Sequence, residues 1–186
     1  MKAIVDTKEF KRIMKYMKKF VREDTNELMK YIRFEVKKGE IKFEALDGWR
    51  IAREFLKCEN DVEFSGYINP ISFTFLKQIK AEISLENKIV LISDNVFSVK
   101  TVQPNGIWYK TDKYLEGNNV KAKVGINALG LKEVLEGIEK TTIRNQAVII
   151  EMGEPKEPII IREDKDRRNV RMILPMSFDL ERDAKQ

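Results

Sequence analysis

KAIVDTKEFKRIMKYMKKFVR, residues 2–22, changes its period partway along. Residues 2–6 read as a short strand. From there Phe10, Ile13, Met14, Met17, Phe20 and Val21 recur at the i, i+3, i+4, i+7 spacing that lines one side of a helix. A helix is predicted over 7–22, with Asp6 or Thr7 offering a side-chain oxygen to its free N–H groups. Lys8, Lys11, Arg12, Lys15, Lys18, Lys19 and Arg22 project around the opposite side. One face is set for a core, and the other is a nearly unbroken basic ridge.

That ridge holds most of the chain's charge imbalance. The 186 residues carry 35 basic and 30 acidic side chains, net +5. Residues 1–22 hold eight basic groups against Asp6 and Glu9, net +6, which leaves −1 for the remainder. Solvated helix faces usually mix signs, because like charges repel without a partner. A nucleic-acid backbone supplies that partner. An acidic membrane surface would draw on the apolar face, which the core needs.

Outward from the helix, Tyr31, Ile32, Phe34, Val36 and then Ile41, Phe43, Ala45 alternate with charged residues across a Lys38-Gly39 turn. Asp47-Gly48 makes a second turn, and Trp49, Ile51 and Phe55 continue into a third strand, so residues 29–57 hold three strands. The order then repeats. Phe64–Ile68 reads as a strand. Asn69-Pro70 opens a short amphipathic helix through Ile71, Phe75, Leu76 and Ile79, carrying Lys77 and Lys80. Lys88–Ser93 and Val96–Val102 form a hairpin across Asp94-Asn95. Residues 103–119 break both periodicities, and Trp108, Tyr109 and Tyr114 mark them as an ordered linker packed on the first domain. Beyond it come a strand at 121–126, a helix from Leu129 to Ile138 with Asn127 as its cap, a hairpin of 147–151 with 159–162, and a last strand at 170–174. A β-α-β-β-β pattern thus appears about three times at a spacing of roughly 60 residues. The expected class is α+β, with helices on one face of antiparallel sheets.

Composition excludes several chemistries. With no histidine, there is no Ser-His-Asp triad, Cys-His pair or histidine-held metal. A lone Cys58 makes no internal disulfide or CxxC site. No apolar run approaches the roughly 18 residues of a membrane span, and residues 1–17 lack the pattern of a signal peptide. The expectation is a cytoplasmic protein, with no membrane partner.

Five segments carry a family resemblance. ALDGWRIARE (45–54) resembles the A-T-D-G-H-R-L-A segment in the middle domain of bacterial DNA polymerase III beta subunits, the sliding clamps. NGIWYKTDKYL (105–115) resembles the D-G-R-F-P-D-Y connection to their last domain. VGINALGLKEVLEGI (124–138) is similar to their I-x-F-N-x-x-Y-L-x-D-x-L helix, EPIIIRE (157–163) to a P-V-x-I-x-x strand, and RMILPM (171–176) to the terminal V-V-M-P-M. The segments are in family order and cover most of the chain.

The resemblance implies a DNA-clamp, or processivity-factor, fold in a shortened and divergent form. It implies a non-catalytic subunit working with a DNA-directed DNA polymerase, with no cofactor and no metal. Helices would face duplex DNA, which Lys8, Lys11, Arg12, Lys15, Lys18, Lys19, Arg22, Lys77 and Lys80 would hold without reading sequence. A groove for the clamp-binding peptides of polymerases and other proteins would use Leu46, Gly48, Trp49, Arg50 and Ile51 with Met172, Leu174, Pro175 and Met176. Trp49 departs from the family's histidine, with bulk enough to fill the pocket. Ser177-Phe178 departs from its Arg-Leu ending. The expected division is a two-unit domain at 1–104, the linker at 105–119, half a clamp domain at 120–176 and a flexible tail at 177–186. An unpaired half-domain leaves a sheet edge open, so a homo-oligomer is expected, a dimer or a tetrameric ring. Two other functions compete. One is a clamp-derived protein-binding module that does not encircle DNA. The other is a metal-dependent nuclease built on Glu35-Val36-Lys37 and nearby acids.

Overall fold

The opening segment folds as its periodicity predicts. Strand β1 (Lys2–Asp6) buries Ala3 and Val5, and helix α1 (Thr7–Met17) buries Phe10, Ile13, Met14 and Met17. Asp6 is the cap, accepting the Glu9 N–H at 2.9 Å. Thr7 is instead the first helical residue, and its buried hydroxyl finds no partner among the described residues. The helix is shorter than predicted. Residues Lys18–Phe20 tighten into a 3-10 turn and Val21 is extended; Met17 is the last fully buried side chain of the segment, and Phe20 and Val21 pack half-buried against the same core.

The computed structural model describes residues 1–22, 27–48, 50–115, 124–136, 148–154, 157–163 and 170–175. Its two units are Met1–Leu115 and Glu116–Gln186. In the first, α1 is followed by β2 (Ile32–Lys37), β3 (Glu40–Leu46), β4 (Ile51–Asn60), β5 (Phe64–Ile68), β6 (Lys80–Glu86), β7 (Ile89–Ser93), β8 (Ser98–Val102) and the single turn α2 (Asp112–Leu115). The strands make one antiparallel eight-stranded sheet in the order β5-β2-β3-β4-β1-β6-β7-β8. Ile32, Phe34, Val36, Ile41, Phe43, Ala45, Ile83, Val90 and Ile92 face inward to one core with α1. Phe10 is fully buried and meets Phe73 with ring centroids 5.2 Å apart.

The helix expected between Asn69 and Lys80 does not form. The segment is irregular and joins β5 to β6, and Lys80 opens β6. Its backbone bonds go elsewhere: the Lys77 and Gln78 N–H groups donate to the Asp94 carboxylate at 2.5 and 3.1 Å, and the Ile79 carbonyl accepts from Thr7 N–H at 2.9 Å. Apart from Leu76 the apolar residues are β-branched or aromatic, which lowers helix propensity, and Phe73 and Leu76 reach the core from a turn. The β6 strand, absent from the sequence reading, follows a weak alternation through Ala81, Ile83 and Leu85. The last strand of this unit starts at Ser98, because Val96 and Phe97 belong to the turn that Asp94 caps.

The sheet nearly closes on itself. β1 lies between β4 and β6, while its counterpart β5 pairs, among the described residues, with β2 alone. At the open seam, the Gln103 amide imitates a strand. Tyr67 N–H donates to its Oε1 at 2.7 Å and its Nε2 donates to the Tyr67 carbonyl at 3.0 Å. A Cβ on Gly66 would come within 2.7 Å of that Oε1, so the close approach depends on glycine.

The second unit holds α3 (Ala128–Glu136), β9 (Val148–Glu151), β10 (Ile159–Glu163) and β11 (Val170–Ile173). Its three strands pair in the order β11-β10-β9. Asn127 caps α3, accepting the Gly130 N–H at 2.9 Å. Ile159 and Ile161 are buried beneath Leu131, Val134, Leu135 and Ile173. The strand expected at 121–126 and the tail at 177–186 lie wholly or partly outside the described residues. Among the described residues, no helix is long and apolar enough to cross a membrane.

Candidate nucleic-acid interface and docking cleft

Burial of one α1 face against the sheet fixes where the ridge points. Lys8, Arg12, Lys15, Lys18 and Lys19 are exposed, and Lys11 and Arg22 are partly covered. Their electrostatic states differ. Arg12 is held by Glu9 at 2.9 Å and Glu54 at 3.5 Å. Lys11 Nζ donates to the Leu76 carbonyl at 3.1 Å, which ties the helix to the irregular segment beside it. Lys80 pairs with Glu59 at 2.6 Å. Lys8, Lys15, Lys18, Lys19 and Lys77 have no ion-pair partner among the described residues. Such uncompensated cations on one layer make a surface that attracts a polyanion.

The opposite face of the sheet carries a buried charge cluster. Register places Arg33, Glu44 and Arg53 side by side on β2, β3 and β4. Glu44 is 1% exposed. It accepts from Arg33 Nη1 at 3.2 Å, from Arg53 Nε and Nη2 at 2.9 and 2.7 Å, from Trp108 Nε1 at 3.1 Å and from Thr111 Oγ1 at 2.7 Å. Arg53 also pairs with Asp112. Burial pushes the Glu44 carboxyl up, but the Thr111 and Arg53 hydrogen bonds and the Lys42 and Arg53 charges outweigh it and hold the group below its ordinary range. This network fastens residues 108–112 to the sheet. Trp108 then packs with Leu28 and Leu46, flanked by Met29, Ile51, Tyr67 and Tyr109.

A cleft opens where that connection meets the β3–β4 turn. Its volume is about 520 Å³, and Met29, Leu46, Gly48, Arg50, Ile51, Tyr109, Thr111 and Leu115 line it. The structure therefore brings together four residues expected in the groove, Leu46, Gly48, Arg50 and Ile51. Trp49 lies outside the described residues. Gly48 has φ +90°, a left-handed turn that glycine tolerates. Arg50 folds back on the turn: Nε and Nη2 donate to Asp47 at 2.9 and 2.6 Å, and Nη2 also donates to the Lys19 carbonyl at 3.1 Å. Its guanidinium sits 5.2 Å from the Phe20 ring centroid. Met29, Tyr109, Thr111 and Leu115 were not legible as lining residues; Tyr109 alone carried a signal, as an aromatic in a stretch without periodicity.

The other four groove residues belong to the second unit. Met172 and Leu174 are exposed there at 52% and 63%, Pro175 is half-buried, and Met176 lies outside the described residues. Glu35, from the tripeptide weighed for nuclease chemistry, and Asp94 have structural partners. Glu35 pairs with Lys42 at 3.0 Å and Lys37 at 3.5 Å. Asp94 is buried and accepts four backbone N–H bonds, from Phe97, Lys77, Gln78 and Val96. Those bonds, led by Phe97, hold its carboxyl far below the usual range.

No protein-family model matches the sequence, and no curated protein matches it. Solved structures do. The DNA polymerase sliding clamp of Bacillus subtilis superposes with a TM-score of 0.80 at 16% identity, over 94% of this chain and 49% of that one. The beta clamp of Helicobacter pylori, solved with a DNA ligase peptide bound, gives 0.69 at 16% identity over 96% and 54%. A putative DNA polymerase III beta subunit from Eubacterium rectale gives 0.67 at 14% identity over 96% and 66%. The chain has the fold of the DNA polymerase III beta clamps, and it spans between 49% and 66% of the length of these neighbours.

Proposed function

We propose that this chain is a non-catalytic, clamp-like protein that binds duplex DNA without sequence preference and docks replication or repair proteins. One observation carries the proposal: on a clamp fold, Lys8, Lys15, Lys18 and Lys19 stand exposed and unpaired among the described residues on the solvent side of α1. Cations so placed release counterions from phosphates and leave base edges unread. Lys11, Arg12, Arg22, Lys77 and Lys80 add to the field around them.

Docking is assigned to the cleft around Leu46, Gly48, Arg50 and Ile51, and Trp49 is proposed to take part as well. Its apolar lining suits a short peptide with an aliphatic or aromatic anchor. The Helicobacter pylori clamp was solved bound to a DNA ligase peptide, and that precedent supports the assignment. Met172, Leu174, Pro175 and Met176 of the second unit are proposed to contact such peptides as well. The chain would work in the cytoplasm as a homo-oligomer, a dimer or a tetrameric ring. A second reading, a docking module that does not encircle DNA, draws support from the same cleft, whose lining from Met29 to Leu115 belongs to one unit.

The test is fluorescence anisotropy with a labelled duplex of arbitrary sequence. Changing Lys15, Lys18 and Lys19 together to Glu abolishes binding if the ridge holds DNA. Duplex affinity left intact in that variant overturns the assignment and favours the docking module.

A further inference from the structure

Duplex phosphates need only cations, yet an aromatic side chain flanks the ridge toward its C-terminal end. Tyr16 is 41% exposed and one residue on from Lys15. It belongs to no core cluster. Its ring instead meets Phe20 at 5.1 Å between centroids. Phe20 in turn lies under the Arg50 guanidinium, at 5.2 Å. Tyr16, Phe20 and Arg50 thus form a short, tilted column, the two ring planes 57° apart, on the same stretch of chain as Lys15, Lys18 and Lys19.

A column of this kind has little to offer a closed duplex, whose bases are stacked on one another. It matches an unpaired strand. Successive bases stack on aromatic faces while nearby cations follow the phosphates, and an exposed aromatic is worth roughly 1–3 kcal/mol per base. The cations of α1 and of the 3-10 turn after it recur about once per turn, roughly 5.4 Å along the α-helical part, a spacing that a flexible single strand can follow.

We infer that the C-terminal end of the basic ridge takes single-stranded DNA, with Tyr16 as the base-stacking platform and Lys15, Lys18 and Lys19 on the phosphates. This rests on the ridge being a DNA surface, and it adds that the surface favours unpaired DNA next to, or instead of, duplex.

The full-length chain is titrated against a labelled oligothymidylate and a labelled duplex at one salt concentration. Tyr16→Ala is expected to weaken oligothymidylate binding roughly 5- to 100-fold while leaving duplex binding within about twofold. Tyr16→Phe, which keeps the ring, is expected to bind both as the parent does. Thermal unfolding of the two variants checks that α1 is intact. An equal loss for both ligands, or no loss for the oligothymidylate, overturns the inference. If Tyr16→Ala has no effect while the triple lysine-to-glutamate change removes binding, the ridge stands and the stacking role falls. If the parent chain binds neither DNA, both fall.

Discussion

Replacing Glu44 with Gln removes one charge from the centre of the Arg33–Glu44–Arg53 row and changes almost nothing in shape. Glu44 is 1% exposed, whereas the side chains of Arg33 and Arg53 are 24% and 15% exposed. Breaking a fully buried ion pair by deleting one partner costs about 3–5 kcal/mol. Both arginines keep some access to water, and Arg53 keeps Asp112, so a loss of about 2–3 kcal/mol is expected. For a unit of this size that lowers Tm by roughly 6–18 °C. Urea unfolding of Glu44→Gln beside the exposed control Glu63→Gln measures it, with the control shifting by less than about 0.5 kcal/mol. A Trp49→Phe background leaves Trp108 as the sole indole, and its emission should shift toward the red as its N–H loses the carboxylate. The sign with pH follows from the lowered carboxyl. The Glu44 contribution is complete above the unfolded value of about 4.3 and is lost as pH falls below it. The gap between parent and Glu44→Gln should therefore narrow on acidification. An unchanged urea midpoint together with unshifted Trp108 emission would refute the claim that Glu44 fastens the connection to the sheet.

Other perturbations test separate parts of the fold. Asp94→Ala frees four backbone N–H groups at once and should destabilise the 77–78 segment and the 94–97 turn, visible as faster amide exchange there. Because the Asp94 carboxyl is held far below its ordinary range, the parent's advantage over Asp94→Ala should be complete above about pH 4 and decline only on further acidification. Gly66→Ala drives a methyl into Gln103 Oε1 and the Phe34 ring; a loss of about 1–3 kcal/mol should appear in thermal unfolding. Phe10→Ala empties the contact with Phe73 and Phe43 and should cost about 3–5 kcal/mol in the same assay.

How much of this was legible in the sequence depends on how many residues share a signal. Along α1, four apolar positions (Phe10, Ile13, Met14 and Met17) and four basic ones (Lys8, Lys11, Arg12 and Lys15) share one helix axis, so the element, its buried face and its ridge could be read, while Phe20 and Val21 carried the expected helix past its end. In the 69–79 segment the apolar residues have near-helical spacing, but Pro70, Phe73, Thr74 and Phe75 resist the helix, and Asp94, many residues downstream, captures the N–H groups a helix would need. That competitor is invisible to a local pattern. In the sequence Glu44 lies three residues before the Asp47-Gly48 turn, where acids are usually solvated. Its burial follows from strand register, which sets Arg33 and Arg53 on either side of it, and from Trp108 and Thr111 arriving from more than sixty residues away. The four cleft residues Leu46, Gly48, Arg50 and Ile51 were legible because they share one short segment; Met29, Tyr109 and Leu115 join them only through folding.

The central claim is that unpaired lysines on the α1 layer hold duplex DNA by its phosphates, and the salt dependence of affinity tests it most directly. Lys8, Lys15, Lys18 and Lys19, with or without Lys77, neutralise four or five phosphates, so log K against log salt should fall with a slope of about −3.6 to −4.5. A slope flatter than about −1, or no duplex binding at low salt, would contradict it.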